Sequence, residues 1–96
     1  MKIAWARTAL ADLRDIIDYI EIRNRVAAKT TYHLISGSVS QLANHPFIGR
    51  AGRVTGTREM IVNGTPYLVA YRLAESRIDI IAVLHGSRKW PIEFSE

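Results

Sequence analysis

The residues with the makings of proton transfer or of contact with a charged group lie between Arg50 and Trp90 of this 96-residue chain. His85 is an imidazole and Glu59 a carboxylate, so either could act as a general acid or base. Arg58, Arg88 and Lys89 could neutralise the charge that builds on a phosphate as it is attacked. Together they would suit cleavage of RNA by its own 2′-hydroxyl, which needs a base, an acid and cations in one place. Each also has a plainer role, because a histidine at a strand end is more often a hydrogen-bonded structural residue. Arg50 and Arg53 read as contact residues for a partner, together with Arg58, Tyr67, Arg88, Lys89 and Trp90.

The elements that must position these groups are legible from periodicity. Lys2 to Trp5 predicts a short first strand, and Thr8 is the expected N-cap of a helix, with Asp12 near its positive end. Leu13, Ile16, Ile17 and Ile20 then recur at helical spacing, with Arg14, Asp15, Asp18 and Glu21 on the other side. Asn24 interrupts the pattern. A second helix follows, whose seam of Ala28, Tyr32, Ile35, Val39 and Leu42 suits an antiparallel neighbour, so the two form an αα-hairpin. Gly37 inside it is unexplained. Ala43 to Gly56, with Pro46 and the glycines Gly49, Gly52 and Gly56, has no period and reads as a loop that carries contacts.

The remainder is sheet. Thr57 to Val62 meets Asn63-Gly64, a strong hairpin signal, and Pro66 can stand at the start of the next strand. Tyr67 to Leu73 turns through Ala74-Glu75-Ser76-Arg77 into Ile78 to His85, giving a three-stranded meander. Its register puts Leu73 opposite Ile78 and Arg72 opposite Asp79, a cross-strand ion pair. Strict alternation then places Val69, Tyr71, Leu73, Ile78, Ile80, Ala82 and Leu84 on the face that packs on the helices. Glu59, Ile61, Leu68, Ala70, Arg72, Asp79, Ile81, Val83 and His85 fall on the other, mixed face. Six residues separate Asp79 from His85, about 20 Å at the rise of a strand, so Arg72 and His85 cannot share a centre. His85, Glu59, Tyr67, Leu68 and Arg88 could converge with the arginine loop at the far end.

Composition bounds these possibilities. The length suits a single domain, residues 1–96, with a two-layer core and no separate cofactor domain. Thirteen Lys and Arg oppose nine Asp and Glu, a formal charge of +4, which would draw an acidic polypeptide or a nucleic acid. Most of the cations are arginines, whose planar forks favour oriented contacts. Cysteine is absent, which excludes disulfides and thiolate chemistry and suits a reducing cytoplasm. Neither a signal peptide nor a run of about 18 apolar residues is present, so a soluble cytoplasmic protein is expected. His33, His45 and His85 lack metal-ligand spacing, and the glycines do not form a phosphate-cradling loop; no metal and no cofactor are expected.

Several longer blocks occur in a telling order. Ala-Leu-Ala-Asp-Leu-Arg-Asp-Ile-Ile-Asp-Tyr-Ile begins at Ala9 and Leu-Ala-Asn-His-Pro-Phe-Ile-Gly at Leu42. Gly-Arg-Ala-Gly-Arg-Val-Thr-Gly-Thr-Arg-Glu follows from Gly49, Gly-Thr-Pro-Tyr-Leu-Val-Ala-Tyr-Arg from Gly64, and Val-Leu-His-Gly-Ser-Arg-Lys-Trp-Pro from Val83. The chain thereby resembles the RelE/ParE toxins of bacterial type II toxin–antitoxin modules, closer to the ParE branch. The resemblance implies an α+β fold, with the N-terminal strand and αα-hairpin packed on one face of a small antiparallel β-sheet. It implies a growth-inhibiting toxin that poisons DNA gyrase without catalysis of its own and is neutralised by a small acidic antitoxin in a hetero-oligomer. A RelE-like mRNA interferase acting with the ribosome is the alternative. Laying the RelE-type Tyr-Arg-Leu-Val-Tyr pattern on Tyr67 to Tyr71 puts Leu68 where that activity has an arginine, although Arg88 matches a second one. A third possibility is an inactive toxin that serves only as antitoxin partner or corepressor.

Overall fold

Strand β1 (Lys2–Trp5) leads through Ala6 into helix α1 (Arg7–Arg23); the computed structural model describes residues 1–86. Ala9 and Leu13 are buried, and Ile16 and Ile17 pack half-buried against the same core, so the helical period predicts the buried stripe. Thr8, the expected N-cap, lies instead within the first turn, where its Oγ1 donates to the Ile81 carbonyl at 2.9 Å. Ala6 precedes the helix without a side-chain cap, and its N–H donates to the Ile80 carbonyl at 2.9 Å. Docking on the sheet takes the place of a local cap.

Asn24 is an extended one-residue joint. Its N–H donates to Ile20 O at 2.8 Å, and its Oδ1 accepts the Ala27 N–H at 3.0 Å, capping helix α2 (Arg25–Gln41). Ala28, Ile35, Val39 and Leu42 are buried as the seam predicts, whereas Tyr32 is 43% exposed and stands edge-on to the His33 ring. A Cβ on Gly37 would meet nothing within 4 Å, so close backbone approach does not explain that glycine.

The sheet has five strands in the order β1-β5-β4-β3-β2. Its three longest antiparallel neighbours are β3 (Arg58–Ile61), β4 (Tyr67–Leu73) and β5 (Arg77–His85), the expected meander. Strand β1 joins the sheet itself, parallel to β5, so the sheet is mixed. The segment expected to be wholly loop contains the two-residue strand β2 (Arg50–Ala51), paired with Glu59 and Arg58. Val62 N–H closes on Tyr67 O at 3.0 Å around Asn63 to Pro66, with Gly64 at φ +85°, which suits glycine there.

Register departs from strict alternation at one point. Leu73 faces Ile78, Arg72 faces Asp79 and Tyr71 faces Ile80, but Ala70 faces Ala82, which leaves Ile81 as a bulge. Beyond it the two sides of β5 exchange. Val83 joins Val69, Tyr71, Ile78 and Ile80 in the core beneath the helices, while Ile81, Ala82 and Leu84 join Leu68 and Ala70 on the opposite side. The helix-facing core also takes Ile35, Leu42 and Val62, all buried. Each such side chain contributes about 1.5–3 kcal/mol through its burial.

Candidate functional site

Tyr71 fixes the arginine-bearing loop from below. Its buried phenol accepts the Gly49 N–H at 2.8 Å and donates to Pro46 O at 2.9 Å. A Cβ on Gly49 would lie 2.6 Å from that oxygen, so the position needs glycine. Arg58 Nη1 donates to Gly49 O at 2.6 Å and to Phe47 O at 3.4 Å, and its guanidinium lies 5.0 Å from the Phe47 ring centroid. Glu59, opposite Arg50 in the register, has a side chain only 1% exposed. Its Oε1 is 3.6 Å from Arg50 Nη2, and its Oε2 is 3.4 Å from Arg53 Nε and accepts the Arg53 backbone N–H at 2.9 Å.

Glu59 is therefore a buried anchor for two arginines rather than an acid–base group open to a substrate. The side chains of Arg50 and Arg53 remain 63% and 39% exposed. Phe47, Ile48 and Ile61, all exposed, lie in or beside the same segment. Arginine heads held beside a buried carboxylate, next to exposed apolar side chains, make a surface suited to a macromolecular partner.

His85 lies elsewhere, because the bulge turns the end of β5 toward α1. It is exposed, stands opposite Tyr67 in the register, and meets that ring edge-on at 5.8 Å between centroids. Both line a groove of about 600 Å³ together with Asp12, Asp15, Ile16, Tyr19 and Val83. Asp12 Oδ2 accepts the Val83 N–H at 3.0 Å, fixing the helix against the bulged strand. Asp12, Asp15 and Tyr19 recur at helical spacing on α1. That stripe is visible in the sequence, but the end of the sheet it faces is not.

The expected convergence of His85 with Glu59 is thus overturned, since the two belong to opposite faces of the sheet. Leu68 lies with Glu59's side, 2% exposed, in an apolar cluster. Tyr67 is half-buried and flanks His85; Arg50 and Arg53 meet at Glu59, while Arg58, on β3 opposite Tyr71, reaches the loop backbone at Gly49. Arg88, Lys89 and Trp90 lie outside the described residues. Arg72 and Asp79 face each other as expected, yet the ion pair forms within β5, from Arg77 Nε to Asp79 Oδ1 at 2.6 Å. Hydrogen bonding and charge attraction from Asp79 raise the Arg77 pKa above its ordinary value.

Comparison with known proteins gives a consistent set of likenesses. A family model described as the ParE toxin of the type II toxin–antitoxin system parDE matches residues 3–90. A Sinorhizobium fredii protein named "Putative toxin Y4kP" is 36% identical over 90 residues, covering 94% of this chain and 93% of that protein. Toxin RelE2 of Caulobacter vibrioides is 32% identical over 87 residues, covering 91% of this chain and 97% of its own. Among solved structures, a chain of the chromosomal ParDE system of P. aeruginosa superposes with a TM-score of 0.81 at 25% identity, covering 88% of this chain and 95% of that one.

Proposed function

Because this chain belongs to the ParE toxin family of type II toxin–antitoxin systems, we propose that it inhibits growth as a non-catalytic poison of DNA gyrase and is neutralised by a cognate antitoxin. The observation that carries this reading is the separation of its chemical groups. A nuclease needs proton-transfer groups and phosphate-neutralising cations around the same atoms. Here the two candidates for proton transfer lie apart: His85 shares its groove with two aspartates, whereas Glu59 is buried against Arg50 and Arg53 on the other side of the sheet. At the position where the RelE-type pattern has an arginine, Leu68 is buried among apolar neighbours. Among the described residues, which do not include Arg88 and Lys89, the candidates for proton transfer are not brought together, and this supports a binding role over a catalytic one.

The gyrase target comes from the resemblance to the ParE branch, and the antitoxin from the same resemblance and from the ParDE likeness. The arginine loop, with Arg50, Arg53 and Arg58, is the surface we assign to the acidic antitoxin or the target, and residues 1–96 act as one toxin domain in the cytoplasm. The test is pulse incorporation of labelled thymidine and methionine in bacteria within minutes of inducing the chain alone. Early loss of thymidine incorporation is the expected result. Early loss of methionine incorporation would favour the RelE-like nuclease instead, and unaffected growth would leave only the antitoxin-partner role.

A further inference from the structure

Among the described residues, the groove between α1 and the β4–β5 end of the sheet is lined by carboxylates in a molecule whose net charge is positive. The chain carries a net charge of +4, yet the described residues lining this groove include Asp12 and Asp15 and neither lysine nor arginine. Asp15 is exposed and forms no ion pair or hydrogen bond among the described residues. Asp12 is fixed by accepting the Val83 N–H. The groove walls include the rings of Tyr19 and Tyr67, and Ile16 and Val83 give it an apolar lining.

Aromatic faces attract cations, and a guanidinium is the cation that also stacks and pairs bidentately with a carboxylate. Tyr19 already engages one, since the Arg23 guanidinium lies 4.0 Å from its ring centroid while Arg23 Nη1 donates to Tyr19 O at 2.9 Å. An apolar strip leading to a carboxylate and a second aromatic ring suits the next such group, because an arginine side chain is an apolar stem with a planar charged end. A volume of about 600 Å³ accommodates that side chain and the backbone presenting it.

We propose that this groove receives an arginine side chain presented by a protein partner, with the guanidinium against Asp15 and Tyr67 and the stem over Ile16 and Val83. The proposal rests on the binding-protein function above and adds the chemistry of a second contact, apart from the arginine loop. A partner that spans both surfaces would bring acidic residues to one and an arginine to the other.

The test titrates the full ¹⁵N-labelled chain with Nα-acetyl-arginine methylamide and, in parallel, with its neutral citrulline counterpart, while amide shifts are followed. Shifts grouped at Asp15, Ile16, Tyr19, Tyr67 and Val83 are expected with the arginine probe and not with citrulline. Asp15→Asn should weaken binding roughly three- to tenfold, the effect of one charge-assisted contact. Asp18→Asn, on the same helix but outside the groove, should leave it unchanged. Equal response to citrulline, no grouped shifts, or undiminished binding by Asp15→Asn would each overturn the proposal. So would binding that appears only when Arg88 and Lys89 are both replaced by alanine, which would give the groove to the chain's own cations. The spectra themselves report whether each variant is folded. The titration does not depend on which target is poisoned, so a negative thymidine result and a negative probe result are separable.

Discussion

Glu59 sets the geometry of the arginine loop with one carboxylate: one oxygen approaches Arg50, and the other meets both the backbone and the side chain of Arg53. Replacing it with alanine removes the acceptor of the Arg53 N–H as well as both ion pairs. The arginine heads stay partly in water, so no charge is stranded in the interior and the cost should fall below the roughly 3–5 kcal/mol of a broken buried pair. Glu59→Ala is expected to lower stability by about 1–3 kcal/mol, and Glu59→Gln, which keeps an acceptor oxygen, by less. Urea denaturation of the three chains checks this, and equal midpoints would show that the carboxylate anchors nothing. In the sequence, residue type alone made Glu59 a candidate for proton transfer. Its pairing with Arg50 depends on strand β2, and two residues are too few to display a period.

At the scale of elements, helices and turns were legible because their signals are local: the seam of α2, the break at Asn24 and the Asn63-Gly64 turn each lie in a few adjacent residues. The bulge at Ile81 was not. From Ile78 to Leu84 every residue except Asp79 is apolar, so a slip by one position leaves the pattern almost unchanged and alternation cannot detect it. The slip is held by long-range bonds that no window contains, Thr8 Oγ1 to Ile81 O and Val83 N–H to Asp12 Oδ2, spanning 73 and 71 residues. Thr8→Val, nearly isosteric but without the donor, should cost about 0.5–1.5 kcal/mol, and Asp12→Ala about 1–3 kcal/mol because it leaves the Val83 N–H without that acceptor. Hydrogen exchange gives the direct readout. The Val83 amide should exchange faster in Asp12→Ala than in the parent by more than distant core amides do, and a uniform change would instead indicate global destabilisation alone.

Across the whole molecule, net charge was readable from composition, but its division between surfaces required the fold. One surface presents Arg50 and Arg53 around a buried carboxylate; the other, beside α1, presents Asp12 and Asp15. An acidic antitoxin meeting the first surface would gain from charge attraction that acts through solvent, because the arginine heads remain partly exposed. Such attraction is shortened as the Debye length falls from about 10 Å at 0.1 M salt to about 3 Å at 1 M. Affinity for the cognate antitoxin is therefore expected to weaken markedly between those conditions, and Arg50→Ala combined with Arg53→Ala should flatten the salt dependence as well as lower the affinity. Calorimetric titration at both salt concentrations, with parent and double variant, separates the contributions. If the parent binds equally at low and high salt, apolar contacts such as those offered by Phe47 and Ile48 must hold the complex. If both chains weaken in parallel, the charge attraction comes from another part of the surface and the arginine loop is not its source.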